Sequence, residues 1–98
     1  MNISTEKSNE KLTLRLDGRL DTTTAPALEA EINEAGDDIK DLILDFTKLE
    51  YISSAGLRVL LSAQKKFSKV GSMKLIGVND QVMEVFEMTG FADILVIE

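Results

Sequence analysis

Polar and apolar side chains alternate in the first part of the chain. Residues 11–16 (KLTLRL) show the pattern most clearly, and residues 3–7 (ISTEK) precede them across a turn near Ser8 and Asn9. A two-residue period predicts half-buried strands. Strands joined this tightly leave no room for a crossover, so they are predicted to pair antiparallel. Gly18 then breaks the pattern and is expected to end the second strand.

Three later segments repeat their apolar positions with the period of a helix. The first is expected to start at the threonine cluster of residues 22–24, with Pro26 in its first turn, and to end at Gly36. The second covers residues 54–69, and the third covers residues 80–89 and stops at Gly90. The first helix is predicted to have one apolar face, formed by Leu28, Ile32 and Ala35. Residues predicted to align on one side of the second helix are Leu57, Leu60, Leu61, Gln64 and Phe67, and on one side of the third helix Val82, Val85, Phe86 and Thr89.

Strand-like segments separate these helices. Residues 41–46 are more continuously apolar, which is typical of a central strand covered on both faces. Residues 73–78 and 94–97 are predicted to be the remaining strands. The order β-β-α-β-α-β-α-β indicates an α/β fold with a mixed sheet of four to five strands. We expect the first strand at an antiparallel edge and the helices mainly on one face.

Length and composition restrict the possible functions. The 98 residues are predicted to form a single domain over residues 1–98, and a net charge of −6 disfavours direct contact with nucleic acid or an anionic membrane. No apolar run approaches the roughly 20 residues of a membrane-spanning helix, and the N-terminus lacks signal-peptide features. We therefore expect a cytoplasmic protein. The absence of cysteine and histidine excludes thiolate zinc sites, cysteine nucleophiles and Ser-His triads.

The most informative segment is residues 51–58 (YISSAGLR), which joins an apolar strand to a helix. Ser53 and Ser54 lie where that helix is predicted to begin. A helix start exposes backbone N–H groups without partners and the positive end of the helix dipole. A serine at this position is either an ordinary N-cap or a phosphate acceptor. The residues alone leave both possibilities open.

Four segments, in this order and spacing, resemble the STAS domain family. They are residues 18–24 (GRLDTTT), 42–49 (LILDFTKL), 51–57 (YISSAGL) and 86–91 (FEMTGF). The resemblance covers essentially the whole chain and implies an anti-sigma factor antagonist. Such a protein binds an anti-sigma factor, which is often a serine kinase that phosphorylates the antagonist. A serine phosphatase then removes the phosphate and restores binding. No catalytic residue, cofactor or metal is expected, and the free protein is expected to be a monomer.

Position by position, the resemblance places the phosphorylated serine at Ser54. Many relatives have Asp directly before the acceptor, where this chain has Ser53, and sharing of the modification by Ser53 stays open. Arg58 stands where several relatives have a small residue. The partner-binding residues implied by the match are Asp21, Thr22, Ser53, Ser54, Ala55, Gly56 and Arg58.

Simpler interpretations compete for several of these residues. Asp21 is equally well explained as a polar turn residue, and the basic stripe of Arg58, Lys65, Lys66 and Lys69 as a solvated helix face. Two other functions are also considered. One is an adaptor subunit of a transporter or signalling assembly, in which the serine is only a contact residue. The other is a small enzyme using Ser54, Asp21 and Asp45, which the lack of a histidine base and of a phosphate-binding glycine loop disfavours.

Overall fold

Four strands and three helices make up the fold. The computed structural model describes all of residues 1–98. The strands are β1 (Asn2–Ser8), β2 (Lys11–Leu20), β3 (Asp41–Ile52) and β4 (Ser72–Ile76). The helices are α1 (Ala25–Asn33), α2 (Ser54–Val70) and α3 (Asp80–Thr89), and a short 3-10 turn follows at Phe91–Asp93. None of these helices is both long enough and apolar enough to cross a membrane.

The strands form one mixed sheet in the order β1-β2-β3-β4. β1 pairs antiparallel with β2 at one edge, across a turn in which Asn9 adopts a positive φ of 56°. β2, β3 and β4 are parallel, with α1 and α2 in the connections between them. The predicted mixed sheet of four to five strands with an antiparallel edge is therefore confirmed.

All three helices pack on one face of the sheet. The inward strand positions alternate with outward ones, as a two-residue period requires. They are Leu12, Leu14 and Leu16 on β2, Leu42, Leu44 and Phe46 on β3, and Met73 and Leu75 on β4. Helix residues complete the same hydrophobic cluster, among them Leu28, Leu60, Phe67 and Phe86. Within α2 the buried face includes Val59 and Ala63, whereas the predicted Leu61 and Gln64 are only half-buried.

The opposite face of the sheet carries no helix, so the prediction that β3 is covered on both faces is wrong. Ile43 is an apolar residue on this face and is only 9% exposed; its register neighbours are Thr13 on β2 and Lys74 on β4. Arg15 on β2 contacts Glu6 on β1 at 3.1 Å and Asp45 on β3 at 3.7 Å. This face is thus covered by charged side chains and not by a second layer of helices.

Two strands extend beyond their predicted ends. β2 continues to Leu20 because Gly18 adopts φ 118° and absorbs an irregularity in the pairing with β3. β3 likewise continues from Phe46 to Ile52. Both extensions carry the sheet up to the loops that precede α1 and α2.

The final predicted strand, residues 94–97, is wrong. Gly90 ends α3 in the left-handed conformation, and residues 91–93 form the 3-10 turn. Only Ile97 makes a bridge, parallel to Leu75 of β4. Leu95 is buried at the edge of the core, whereas Ile94 and Val96 are about half exposed, so only one side chain of this apolar segment packs fully into the core.

Candidate functional site

Two loops meet where β2 and β3 end. Leu20 and Ile52 are paired at the last position of the two strands, and the Ser53 N–H donates to the Leu20 carbonyl at 2.9 Å. The loop before α1 therefore lies beside the start of α2. Carboxyl ends of adjacent parallel strands are common positions for functional sites. The structure thus brings the Asp21 and Ser54 segments together, although they are far apart in sequence.

The two serines at the start of α2 differ in access. Ser53 occupies the N-cap position with extended backbone angles, but its hydroxyl makes no capping hydrogen bond. The Ser53 Oγ is buried and has no hydrogen-bond partner in the protein. Ser54 is the first helical residue, and its side chain is exposed. A modifying enzyme can therefore reach the Ser54 hydroxyl, while Ser53 would first have to change its conformation.

The small pair after these serines has an internal role. A Cβ on Gly56 would lie 2.8 Å from Leu20 Cγ and 2.9 Å from Ile52 Cγ1, closer than real contacts allow. Leu20 and Ile52 are themselves buried, so neither can move aside easily. Gly56 is buried as well, and Ala55 is half-buried. Gly56, predicted as a partner-binding residue, is thus required for the close packing of α2 on β2 and β3.

Asp21 organises the neighbouring loop. Its Oδ1 accepts hydrogen bonds from the Thr23 hydroxyl at 2.7 Å, the Thr23 N–H at 3.0 Å and the Thr24 N–H at 3.2 Å. The hydrogen bond from the Thr23 hydroxyl is the main reason why the pKa of Asp21 lies below its ordinary value, and desolvation of the carboxylate is the next largest effect and opposes it. Thr24 is the N-cap of α1 by position, but its hydroxyl binds the Arg19 carbonyl and the Asp21 N–H instead of capping the helix.

The Asp21 turn allows a pH-dependent test. A lowered pKa means that the folded state favours the carboxylate, so its stabilising contribution is present above the ordinary pKa and is lost as pH falls through the folded-state pKa. We expect Thr23→Val to raise the pKa of Asp21 towards its ordinary value, as measured by carboxyl-carbon NMR titration. Thr47→Val is the matched control, because Thr47 makes the same turn with Asp45. An unchanged Asp21 titration in Thr23→Val would contradict this assignment.

Arg19 and Tyr51 form a second cluster at this end of the sheet, which the sequence interpretation missed. The Arg19 guanidinium lies 4.4 Å from the centre of the Tyr51 ring, and Arg19 Nε is 3.9 Å from Asp21 Oδ2. Tyr51 is 42% exposed. The pair forms because Arg19 and Tyr51 are opposite each other in the β2–β3 register. Only knowledge of that register could have identified it.

Two further predicted contact residues are on the surface. Thr22 is exposed, and its side chain makes no hydrogen bond within the protein. Arg58 is exposed one helical turn after Ser54 and makes no ion pair. No group of three or more Asp or Glu side chains is placed to hold a metal ion. The site is thus a surface of hydroxyl groups, two arginines and one carboxylate.

Comparison with known proteins gives consistent results. A family model described as the STAS domain matches residues 2–98. BtrV of Bordetella bronchiseptica, provisionally named as an anti-sigma factor antagonist, is 38% identical over 96% of this chain and 83% of its own length. The anti-sigma-B factor antagonist of Listeria monocytogenes is 31% identical over 100% of this chain and 90% of its own length.

Solved structures agree in fold. The anti-sigma factor antagonist SpoIIAA in its unphosphorylated form superposes with a TM-score of 0.86 at 23% identity, covering 99% of this chain and 88% of that one. The phosphorylated form of SpoIIAA from Bacillus superposes with a TM-score of 0.78 at 22% identity, covering 99% of this chain and 91% of that one.

Proposed function

The chain belongs to the STAS domain family, and from this premise we propose that it acts as an anti-sigma factor antagonist. In this role it binds an anti-sigma factor and thereby frees a sigma factor. Phosphorylation of Ser54 switches the binding off. The names of the Bordetella and Listeria relatives support the general role, because both cover nearly the whole chain. The proposed activity is regulated binding and involves no catalysis by this chain.

The observation that carries the proposal is the access of Ser54 at the start of α2. Its side chain is exposed, whereas the neighbouring Ser53 Oγ is buried. Of the two candidate acceptors, only Ser54 presents its hydroxyl to a second protein without a rearrangement. This supports Ser54 as the single acceptor in a loop that carries Ser53 where many relatives have Asp.

The physics of a helix start supports a switch without refolding. A phosphoserine carries about −1.5 to −2 charges at pH 7 and three strong acceptor oxygens. The first N–H groups of α2 have no partner within the helix, and the Ser53 hydroxyl does not cap them. The folded domain can therefore accommodate the phosphate. A partner surface shaped for a neutral hydroxyl would instead have to desolvate a dianion.

The remaining surface of the site fits protein contact. Asp21, Thr22, Arg58 and the Arg19–Tyr51 pair lie on or beside the two loops, and arginine and tyrosine are enriched at interface positions that contribute strongly to binding. We further propose that the anti-sigma factor is itself the kinase that phosphorylates Ser54. A separate serine phosphatase removes the phosphate and restores the unmodified form. These two enzymes make the switch reversible.

The test is a pull-down from native lysate with purified wild type, Ser54→Ala and Ser54→Asp, with bound proteins identified by mass spectrometry. Wild type and Ser54→Ala should retain an anti-sigma factor, and Ser54→Asp should lose most of it because the added charge faces the partner. Ser62→Asp is the matched control, since Ser62 is exposed two turns later on α2. Equal retention by Ser54→Asp and Ser62→Asp, or absence of any anti-sigma factor from the wild-type sample, would refute the proposal.

A further inference from the structure

Every charged side chain on the exposed face of α2 is cationic. The helix contains Arg58, Lys65, Lys66 and Lys69 but no Asp or Glu, in a chain of net charge −6. None of these four side chains takes part in the ion pairs of the structure, which all involve cations of other elements. The exposed face of α2 therefore carries four cations that form no ion pair with any carboxylate of the protein. Ser54 lies at the first position of this face.

Helix geometry decides which of these cations can reach Ser54. Side chains four residues apart lie on the same face of a helix, and the rise of 1.5 Å per residue separates Ser54 and Arg58 by about 6 Å along the axis. Lys65 lies about 16 Å from Ser54 by the same rise. This exceeds the Debye length of about 8 Å at physiological ionic strength, so its charge is largely screened. Arg58 is the one cation of α2 within reach.

We propose that Arg58 is a positioning residue that holds the phosphate of phosphorylated Ser54 within the same molecule. The inference rests on the proposed phosphorylation of Ser54 and adds the group that receives it. An acidic group four residues before a basic one is the favourable order on a helix. The planar guanidinium donates two parallel hydrogen bonds to phosphate oxygens. No carboxylate of the protein competes for Arg58.

The other arginine near the site is already engaged. Arg19 is 3.9 Å from the Asp21 carboxylate and is stacked on Tyr51. Arg19 would lose its contacts with Asp21 and Tyr51 if it moved to the phosphate. The Asp21 carboxylate would also repel the phosphate. The N–H groups at the helix start act on the phosphate whichever residue occupies position 58. Their contribution therefore cancels when variants at this position are compared.

Holding the phosphate in this way affects the lifetime of the inactive form. Arg58 would neutralise part of the added charge and occupy oxygens that a phosphatase must reach. The modified protein would then stay modified longer than one in which a small residue follows at this position. Arg58 thereby determines how long the protein stays phosphorylated, while the phosphorylation state of Ser54 determines whether the partner is bound.

The test measures the second ionisation of the phosphate, which is ordinarily near pKa 6. Phosphoserine is introduced at position 54 during synthesis of the chain, without a kinase, and the phosphate is titrated by phosphorus NMR at physiological ionic strength, at which the charge of Lys65 is largely screened. We expect Arg58→Gln to raise this pKa by about 0.3 relative to the Arg58 protein, as loss of one helical ion pair would do. Arg58→Lys should give an intermediate value, and added salt should narrow the differences.

Two controls make the result decisive. Lys65→Gln removes the same charge from the same helix and should leave the phosphate pKa unchanged. Arg19→Gln tests the competing arginine. A phosphate pKa that is equal in Arg58→Gln and in the Arg58 protein, or that responds mainly to Arg19→Gln, would overturn the proposal. No partner protein enters this measurement, so its failure is distinguishable from failure of the proposed function.

Discussion

Phosphorylation of Ser54 is expected to weaken binding of the anti-sigma factor by at least about tenfold while leaving the fold unchanged. A tenfold loss corresponds to about 1.4 kcal/mol of binding free energy. The loss is expected because the phosphate lies on the exposed surface of the site, where a close-fitting partner would have to desolvate it. The fold is retained because the modified residue begins α2 and replaces no buried contact.

Two measurements check this expectation. Titration calorimetry with the captured anti-sigma factor gives the affinities of the unmodified and phosphorylated forms. Amide spectra of the two forms should superimpose, with shifts confined to the Asp21 turn and residues 53–58. The matched control is the protein with phosphoserine at position 62, because it has the same charge on the same helix but about 12 Å further along the axis. Widespread shifts across the sheet, or equal affinities of the forms modified at positions 54 and 62, would reject direct interference at the site.

Replacement of Gly71 by alanine should lower the free energy of unfolding by about 3 kcal/mol, the upper end of the usual cost of overpacking. Gly71 lies between α2 and β4, and its φ of 179° is open to any residue. The obstacle is space: a Cβ there would overlap the Lys40 carbonyl oxygen and lie 2.7 Å from the carbonyl carbon. That backbone cannot retreat easily, because the same carbonyl accepts from the Ser72 N–H at 2.9 Å.

Gly90→Ala is the control that separates crowding from backbone strain. Gly90 has φ 83°, which disfavours alanine, but no atom lies within 4 Å of a Cβ built on it. We expect Gly90→Ala to cost only about 1 kcal/mol. Urea denaturation of both variants measures the two values. Equal losses would mean that the chain around Lys40 shifts to accept the extra methyl group.

Periodicity in the sequence predicted most of the fold, because each element buries one face. The bounds of α3 at residues 80–89 follow from apolar spacing and from Gly90, and the start of α2 follows from apolar spacing and the serine pair that precedes it. The strand predicted at residues 94–97 was wrong because an apolar run does not show which backbone groups form pairs, and here only Ile97 makes a bridge. The predicted end of β2 was wrong because a single glycine can introduce a bulge into a strand without ending it.

The site was predictable only as far as it is local in sequence. The motif around Ser54 identified the start of α2, but the different access of Ser53 and Ser54 depends on how Ser53 docks against Leu20. The Arg19–Tyr51 contact depends on the register between two strands that are distant in the chain. The Asp21–Thr23 turn carried a local signal, the Asp-x-Thr spacing, which recurs at Asp45 and Thr47.

The ion pairs of Arg15 on the helix-free face bear on how β1 finds its alignment during folding. Ile3 is the one hydrophobic residue of β1 that packs against the core, so burial alone discriminates weakly between neighbouring alignments. A slip of one residue would turn Ile3 to water and direct the Glu6 carboxylate inward. It would also separate Glu6 from Arg15. A pairing of β1 shifted by one residue is thus destabilised on both faces of the sheet. On the helix-free face it loses an ion pair, and on the core face it loses the burial of Ile3.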